Sequence, residues 1–521
     1  MKKSIVSISV VCVAFVVMAS CHGPADTSVS RESGVVSPTQ IAIAIDTSAP
    51  LAEVDPRFLS FAVDASQVVG GNWWSASGEV EIGVGETRAE PYDFSRPALR
   101  RLAGELAPAF LRIGGSEADK IWYDMTGQEV VYPPAGYEFP LTAPVWDAVN
   151  EFAIDLGLDV FFTLNAGPGP RGDGRAWTPD NARVLLEYTA ERGYPVSVWE
   201  LGNEINGFVM IHGPKWIFTG AEYARDMATA RALLDDAHPG AWLAGPSSAV
   251  WPVIGEWLPV LPGFLREGAG GADVVTWHYY PTQSRRCPIA LRPATPTLLL
   301  FPPFLDEMAE QAARVLELRD RFAPGLPVWL GETGNAQCGG EPGISDRFAG
   351  TLWWLDELGL AARTGQRVVV RQTLSGSDYG MIDDATLRPR PDYFASVLWK
   401  RLMGETVLDA RRESGDGLVR VYAHCAKGGG VAAVAINLDA APRKLNFEGL
   451  AGESAETYAL TADVLTSADM RLNGEILATS SSGELPPMRP ATRALDALEL
   501  APRSAAFVVF PDADVPACAA N

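Results

Sequence analysis

Residues 199–204 read WELGNE and close an apolar run with an asparagine and a carboxylate. A second apolar run, residues 329–333, reads WLGET and also brings a carboxylate to its end. A glutamate at the end of a buried strand costs desolvation free energy unless it has a partner or a chemical task. Since the carboxyl ends of barrel strands meet on one face, the two stretches predict that Glu204 and Glu332 face each other there.

Eight short β-branched runs recur along the chain, and helical periodicity separates several of them, as in residues 181–192, 221–237 and 305–322. Alternating strands and helices indicate an α/β protein with a parallel sheet, and eight repeats indicate a (β/α)8 TIM barrel. An open, doubly wound sheet is the alternative. The predicted strands are 58–66, 110–116, 158–167, 197–204, 241–248, 272–280, 326–333 and 367–376.

The pattern changes after residue 404 to short alternating strands separated by glycine and Asp/Asn turns. This pattern is typical of a β-sandwich, which we expect over residues 405–521 after a barrel over residues 41–404. The predicted sandwich strands are 418–425, 431–438, 443–447 and 506–510.

The N-terminus combines two lysines, an apolar stretch over residues 4–18 and small residues before Cys21. Such a stretch is too short to span a membrane and is typical of a signal peptide, expected over residues 1–20. The resemblance to a bacterial lipoprotein signal implies that Cys21 is acylated, with ordinary secretion as the alternative. Residues 21–40 look like a flexible tether. We therefore expect an exported protein of the bacterial cell envelope, in the periplasm or at the outer membrane, that touches a membrane only through this lipid anchor.

The chain is acidic, with 64 Asp+Glu against 42 Lys+Arg and a net charge of −22. Nucleic-acid binding requires phosphate neutralisation and is disfavoured as the main role. Residues 232–265 contain no Lys or Arg, so highly sulfated glycans are also disfavoured. Arg285 and Arg286 are the one obvious basic pair near the predicted cleft, with a solvated loop as the alternative interpretation.

Two carboxylates across a sugar-sized cleft are the apparatus of glycoside hydrolysis, in which one serves as acid/base and the other as nucleophile or base. Asn203 supports this interpretation because its amide can hold the sugar 2-hydroxyl. The alternative is a pair of strand-end salt bridges. By strand alternation, Glu200 shares the face of Glu204, opposite Asn203, and is interpreted as structural.

Taken in order, the motifs resemble those of glycoside hydrolase family 79, the heparanase and β-glucuronidase group, over roughly residues 50–518. The resemblance implies a retaining mechanism with Glu204 as acid/base, Glu332 as nucleophile and no metal or other cofactor. It also suggests that the N-terminal strand over residues 40–46 joins the sandwich. The motifs are FLS (58–60), VDA (63–65), LRIGGS (111–116), LNA (164–166), WELGNE (199–204), VTWHYY (275–280), LGET (330–333), PDY (391–393) and VYAHC (421–425).

The resemblance also implies residues that bind the substrate. Tyr280 matches a tyrosine that hydrogen-bonds the nucleophile, and His278, two residues earlier on the same strand face, is expected to line the cleft. Asp64 matches an aspartate that contacts the sugar hydroxyls, and Ser116 aligns with a threonine near the substrate. A core histidine and a turn-forming aspartate are the alternatives for His278 and Asp64.

A uronic acid carboxylate is expected to meet Tyr379 and the backbone N–H groups of Gly339 and Gly340, again by resemblance. A glycine pair suits this task because backbone approaches a ligand closely only without a Cβ. An ordinary tight turn is the alternative for the pair.

Four cysteines lie beyond residue 40 and allow two disulfides with three connectivities. The family resemblance implies a Cys425–Cys518 bond, and Cys287 with Cys338 could join the loops after the sixth and seventh strands. Without a C-x-x-C motif or clustered histidines, no zinc site is expected.

The sequence therefore favours an exo-acting β-glucuronidase that cleaves glucuronic acid from a glycan or a glucuronide. One alternative is an endo-β-glucuronidase acting on glycosaminoglycans, and another is a glycosidase of the same clan acting on a neutral sugar. From a different class of protein, a non-catalytic glycan-binding surface lipoprotein remains an alternative.

Overall fold

A computed structural model describes residues 39–74, 86–128, 132–172, 174–412, 417–450 and 452–518. The expected signal peptide, Cys21 and all but the last two residues of the expected tether lie outside these ranges. Within them, no helix has both the length and the apolar composition that crossing a membrane would require.

Eight parallel strands close into a barrel in which neighbours in sequence are neighbours in space. The predicted (β/α)8 barrel is confirmed, and the open-sheet alternative is wrong because the last strand pairs with the first. Each predicted run overlaps one barrel strand. The strands are β1 (Leu59–Asp64), β2 (Phe110–Gly114), β3 (Asp159–Leu164), β4 (Val196–Leu201), β5 (Trp242–Val250), β6 (Val274–Tyr279), β7 (Val328–Thr333) and β8 (Val369–Arg371).

A helix packs outside the barrel after each strand. The helix after β4 begins with a capping box, in which the Glu222 N–H donates to the Thr219 hydroxyl and the Thr219 N–H donates to the Glu222 carboxylate. The helices are α1 (Pro97–Gly104), α2 (Ala143–Leu156), α3 (Asp180–Arg192), α4 (Gly220–Ala237), α5 (Leu261–Arg266), α6 (Pro302–Phe322), α7 (Phe348–Arg363) and α8 (Pro391–Leu402).

Shorter elements lie in the loops that follow the barrel strands. They are the helices Ala65–Val69, Phe208–Ile211 and Pro296–Leu299, and the paired strands Asn72–Trp74 with Glu86–Arg88, Ile121–Asp124 with Phe139–Thr142, and Thr282–Gln283 with Ala336–Gln337.

The barrel interior has an apolar floor below a polar layer. The floor includes Phe110, Phe161, Val198 and Val274. Because every second residue of a strand faces the same side, the residues two positions further on also face inward, and all four are polar. These are Arg112, Thr163, Glu200 and Thr276, all fully buried. The sequence thus builds a charged layer directly beneath the barrel mouth.

The second domain is a β-sandwich whose sheet folds over an apolar core. The N-terminal strand Thr39–Asp46 lies here, antiparallel to Met403–Arg412 and parallel to Arg443–Glu448. Strands Met403–Arg412 and Ser454–Thr461 and several strands of two to four residues were not predicted. The remaining strands are Ala52–Glu53, Val419–Ala426, Val431–Asn437, Arg471–Leu472, Glu475–Ile476, Ala491–Ala494, Glu499–Leu500 and Ser504–Phe510.

The sandwich covers the outer faces of α7 and α8. In strand Val431–Asn437, alternate residues face the sandwich core and the barrel helices, so the strand is apolar on both faces. Trp399 of α8 packs against Phe507, with ring centroids 6.5 Å apart. The buried Asp356 of α7 accepts a hydrogen bond from the Tyr422 hydroxyl at 2.6 Å. These contacts explain why both helices are buried almost completely.

Two disulfides are present. Cys287–Cys338 joins the loops after β6 and β7, with Cα atoms 5.4 Å apart, and Cys425–Cys518 lies within the sandwich, with Cα atoms 5.6 Å apart. Both predicted pairs are confirmed, which selects one of the three connectivities.

Candidate active site

Glu204 and Glu332 come together at the mouth of the barrel. Glu332 is buried within β7, and Glu204 follows β4 with 15% of its side chain exposed. A carboxylate oxygen of Glu204 lies within 4.8 Å of one of Glu332. The structure therefore brings the two predicted carboxylates to a separation that one sugar ring can bridge.

A turn after β4 directs Glu204 back over the barrel. The strand ends at Leu201, and Gly202 and Glu204 have φ values of 73° and 52°. A left-handed conformation is unfavourable for glutamate and persists only where the surroundings fix it. Here the Glu204 N–H donates to the Ser247 carbonyl at 3.1 Å. The Asn203 N–H donates to the Asp119 carboxylate at 2.9 Å, a contact that was not predicted.

The predicted alternation of Glu200 and Asn203 is wrong. Both side chains accept hydrogen bonds from Arg112, at 2.8 Å and 2.9 Å. The reason is that β4 ends at Leu201 and the turn at Gly202 interrupts the alternation of side chains. Glu200 lies in the polar layer of the barrel, as a structural carboxylate should, whereas Asn203 reaches the same guanidinium from above.

Arg112 is a site residue that was not predicted. Its guanidinium is fully buried and donates to Glu332 Oε2 at 2.7 Å as well as to Glu200 and Asn203. Burial opposes its charge, but the carboxylates of Glu200 and Glu332 raise the pKa of Arg112. An arginine within an apolar strand, two residues after Phe110, is the sequence signal that could have identified it.

Arg112 and its neighbours keep Glu332 ionised. Burial alone would raise the pKa of Glu332, but His278, Arg112 and the Tyr280 hydroxyl together hold this pKa below its usual value. The hydroxyl of Tyr280 donates to Glu332 Oε1 at 2.7 Å, while Arg112 occupies Oε2. A charged, oriented carboxylate is what a nucleophile requires.

His278 lies between the two glutamates. Its Nδ1 is 3.0 Å from Glu204 Oε1 and 3.9 Å from Glu332 Oε2. Its Nε2 is 2.7 Å from the Ser247 hydroxyl, which orients the ring from below. The imidazole therefore contacts Glu204 directly, and it is fully buried.

The end of β1 contributes Asp64, which is buried and caps the helix Ala65–Val69. Its Oδ1 accepts from the Ser66 N–H at 3.0 Å, and its Oδ2 accepts from the Gln372 amide at 2.9 Å. Burial, with the charge of Glu332 adding to it, raises the pKa of Asp64 to about 7. The half-buried Ser116 adjoins Gly115, at which an added Cβ would lie only 2.2 Å from Asp64 Oδ2. Asp64 thus has the predicted position and the turn-forming role together.

Gly339, Gly340 and Tyr379 form one unit across the mouth. The Gly339 carbonyl accepts the N–H groups of Asp378 at 2.8 Å and Tyr379 at 3.1 Å. Both glycines have left-handed φ values, 84° and 83°, and a Cβ on Gly339 would lie 2.4 Å from the Ser377 hydroxyl. In the part of the chain that the structure describes, their N–H groups donate to no acceptor. These N–H groups are therefore available to a ligand.

The interpretation of Arg285 and Arg286 as a solvated loop is wrong for Arg286. This side chain is buried, forms an ion pair with Asp378 and donates to the Ser377 hydroxyl at 3.1 Å. Arg285 donates to the buried Glu341 at 2.7 Å. The pair therefore braces the wall that carries Tyr379.

Glu204, His278 and Glu332 also have donor atoms close enough together to contact one ion. Both oxygens of Glu332, however, already accept hydrogen bonds from Arg112 and Tyr280. A cation here would also meet the charge of Arg112, which disfavours it. The arrangement suits proton transfer and nucleophilic attack better than metal binding.

Comparisons with known proteins identify the family of the chain. The family model described as glycosyl hydrolase family 79, N-terminal domain, matches residues 41–359. Heparanase from Bos taurus is 31% identical, over 91% of each chain. Baicalin-beta-D-glucuronidase from Scutellaria baicalensis is 29% identical, over 80% of this chain and 84% of its own.

Among solved structures, a 4-O-alpha-L-rhamnosyl-beta-D-glucuronidase from Fusarium oxysporum 12S has a TM-score of 0.66 and 16% identity. The match covers 90% of this chain and 100% of that one and shows a common fold. The family match includes both Glu204 and Glu332 and extends from the N-terminal strand through most of α7. The predicted resemblance is confirmed, and the chain belongs to glycosyl hydrolase family 79.

Proposed function

We propose that this glycoside hydrolase cleaves β-linked glucuronic acid with retention of configuration. The observation that carries the proposal is the pair formed by Glu204 and an ionised Glu332, with oxygens within 4.8 Å of each other. Retaining enzymes hold their carboxyl groups about 5–5.5 Å apart, whereas inverting enzymes leave about 6.5–9.5 Å for a water molecule.

The reaction runs in two displacements. Glu332 attacks the anomeric carbon while Glu204 donates a proton to the glycosidic oxygen, so the aglycone leaves as an alcohol and a glycosyl ester forms. Glu204 then accepts a proton from water, whose oxygen attacks the same carbon and releases Glu332. Both steps use side chains and water alone, so the mechanism needs no cofactor.

The unit formed by Gly339, Gly340 and Tyr379 supports a uronic acid as the sugar. The N–H groups of Gly339 and Gly340 are free of other acceptors among the described residues, and adjacent backbone N–H groups suit a carboxylate. Tyr379 lies beside them, and the ion pair of Arg286 with Asp378 holds the segment that carries Tyr379. The matched relatives include a heparanase and a baicalin-beta-D-glucuronidase, and the names of both fit this substrate class.

We favour exo action on a terminal glucuronate. The chain has a net charge of −22, and residues 232–265, which include the loop after β5, contain no Lys or Arg. Subsites for a long sulfated polymer need such charges. A non-catalytic binding protein is disfavoured because nothing in sugar binding alone requires Arg112 and Tyr280 to hold Glu332 ionised.

The test follows p-nitrophenol release from the β-glucuronide, with the β-glucoside and β-galacturonide as controls. We expect glucuronide-selective release that is lost in Glu332→Ala and retained in Glu187→Gln, a matched change of an exposed glutamate on α3. In Glu204→Gln we expect hydrolysis of glucuronides with poor leaving groups to be lost. A first-formed β-anomer, followed by NMR, supports retention, and an α-anomer contradicts it.

Other outcomes separate the alternatives. Release from the glucoside alone would contradict the uronate assignment but keep the two-glutamate mechanism. No release from any of the three, with shortening of heparosan or hyaluronan, would favour endo action. No turnover with retained oligosaccharide binding would favour the binding protein.

We also propose that the protein is exported and anchored through an acylated Cys21. The support is the lipoprotein-like signal over residues 1–20 and the Ser, Thr, Gly and Pro content of the segment after it. Metabolic labelling with a radioactive fatty acid should mark the membrane fraction of the wild type and not Cys21→Ser. Equal labelling of both, or no labelling of either, would contradict the proposal.

A further inference from the structure

The loop after β5 is fastened to the segment that carries Glu204. Trp251 and Gly255 close a tight turn through two backbone hydrogen bonds of 3.0 Å and 2.9 Å. Asn206, two residues after Glu204, accepts from the Ala249 N–H at 3.0 Å and donates to the Trp257 carbonyl at 3.2 Å. Both ends of the loop therefore have a set position relative to the acid/base.

The indole of Trp251 and the Cβ of Glu204 both adjoin Gly207. A Cβ added to Gly207 would be 3.3 Å from Cζ2 of Trp251 and 3.9 Å from Cβ of Glu204. In the proposed mechanism Glu204 protonates the glycosidic oxygen, so the aglycone leaves from this side. Trp251 thus borders the space that an aglycone occupies.

Four large apolar side chains on the loop of Trp251 and on the short helix after Gly207 are exposed to solvent. Single exposed apolar residues are ordinary, but a group on two loops tied together beside a catalytic group indicates a binding surface. We name Trp251 and these four residues the aglycone wall. The four are Met210, Val253, Ile254 and Trp257, with exposed fractions of 62%, 66%, 53% and 44%.

The aglycone wall has no cation on the β5 loop to bind a charged group. Residues 232–265 contain no Lys or Arg. The acidic side chain of this loop, Glu256, accepts the Ser248 hydroxyl at 2.8 Å and the N–H groups of Val260 and Leu261. Its carboxylate is therefore committed to holding the loop.

We propose that the aglycone wall binds an uncharged, apolar aromatic aglycone. A tryptophan alone suits a sugar face or an aromatic ring, because both present a flat surface to the indole. Val253, Ile254 and Met210 offer no hydrogen-bonding group to sugar hydroxyls, and a small apolar ring system buries these side chains without that cost. This inference rests on the proposed function and adds the class of leaving group.

The experiment compares phenyl and 2-naphthyl β-glucuronides, whose leaving groups are both unactivated phenols, with methyl β-glucuronide and a glucuronyl disaccharide. We expect kcat/KM to rise from the methyl to the naphthyl compound. In Trp251→Ala and Val253→Ser/Ile254→Ser, the naphthyl compound should lose roughly tenfold in kcat/KM, mainly through KM, while the methyl compound is unchanged. Trp251→Phe should keep most of the preference.

Ile476→Ser, which alters an exposed aliphatic side chain in the sandwich, is the matched control and should change neither substrate. Equal losses on the naphthyl and methyl compounds would overturn the aglycone wall and leave the glucuronidase intact. A preferred disaccharide whose hydrolysis depends on Trp251 would show that the wall binds sugar instead. If no glucuronide is cleaved by the wild type, the proposed function itself fails.

Discussion

The two sides of the cleft are built on opposite principles. The side made by the loops after β1, β6, β7 and β8 is polar and buried, and the Arg286–Asp378 ion pair and the Cys287–Cys338 disulfide cross-link its parts. The aglycone wall is apolar and exposed, and it is held at its base by Asn206. A rigid polar side can discriminate one sugar through hydrogen bonds that no other sugar satisfies. An apolar side discriminates by area, so it tolerates varied leaving groups.

Arg112 lies beneath both sides, so its removal is expected to have the largest effect. Arg112→Met leaves Glu200 and Glu332 as uncompensated buried charges and should lower the free energy of unfolding by about 3–5 kcal/mol. It should also lower kcat by at least roughly 10³-fold, since Glu332, the proposed nucleophile, loses the hydrogen bond to Oε2. Urea unfolding and steady-state kinetics measure the two effects.

A second substitution separates stability from catalysis in this test. Arg112→Met/Glu200→Gln removes one buried charge of each sign and should recover part of the stability without recovering kcat. If the double variant regains activity as well, Arg112 acts as a structural ion-pair partner only, and its contact with Glu332 is unimportant for the reaction.

Gly339→Ala should break the polar side alone. The added methyl would lie 2.4 Å from the Ser377 hydroxyl and 2.6 Å from Arg286, on backbone with a φ of 84°. We expect kcat/KM for p-nitrophenyl glucuronide to fall by about 10²-fold, because a small misplacement in a binding site costs about that much. The ratio of naphthyl to phenyl glucuronide hydrolysis should stay constant.

A matched change, Gly343→Ala, lies in the same loop, also with a positive φ, but has no atom within 4 Å of an added Cβ. It tests whether backbone conformation alone accounts for the loss. Equal losses in the two variants would mean that close packing at Gly339 does not shape the sugar site.

The sequence predicted those site residues whose positions follow from the alternation of side chains along a strand. Glu332 ends an apolar run and lies within β7, so alternation alone directed it to the barrel mouth. The same rule gave the wrong face for Asn203, because a two-residue period does not predict the left-handed turn at Gly202. In the sequence, Arg112 is only a charged residue within a predicted strand. Its role depends on ion pairs with Glu200 and Glu332, which come from distant parts of the chain.

The barrel was similarly easier to predict than the walls above it. Eight apolar runs are a repeated signal, whereas Arg286 in a loop resembles any solvated arginine until Asp378 is placed beside it. The short edge strands of the sandwich carry too few residues for a periodic pattern. Loop positions depend on tertiary contacts, and one sequence contains no direct record of these.

Asp64 allows a test of the polar side by pH. Its pKa of about 7 in the folded protein lies above the ordinary value of 3.8, because burial disfavours the charge. The folded state therefore binds more protons between these values, and this residue's contribution to stability falls as pH rises, by up to about 1.4 kcal/mol per pH unit. Asp64→Asn keeps the helix cap but does not titrate. In urea unfolding from pH 4.5 to 8, the free energy of unfolding of the variant should thus rise relative to that of the wild type until about pH 7. Above that pH the difference should stay constant. A difference independent of pH would mean that Asp64 is ionised throughout.

The disulfide between the β6 and β7 loops should have the smallest effect on catalysis. Cys287→Ser/Cys338→Ser removes the covalent link next to Gly339, but the Ser284 N–H still donates to the Gln337 carbonyl at 3.2 Å and Arg286 still pairs with Asp378. We expect a KM increase of a few-fold for glucuronides and no change in the naphthyl preference. Cys425→Ser/Cys518→Ser and Cys287→Ser/Cys338→Ser should each lower the free energy of unfolding by about 2–4 kcal/mol. In Cys425→Ser/Cys518→Ser, KM should stay constant, because that bond lies in the sandwich. If both pairs raise KM equally, the effect comes from global loosening, and the polar side of the cleft is stiffened by its hydrogen bonds and ion pairs alone.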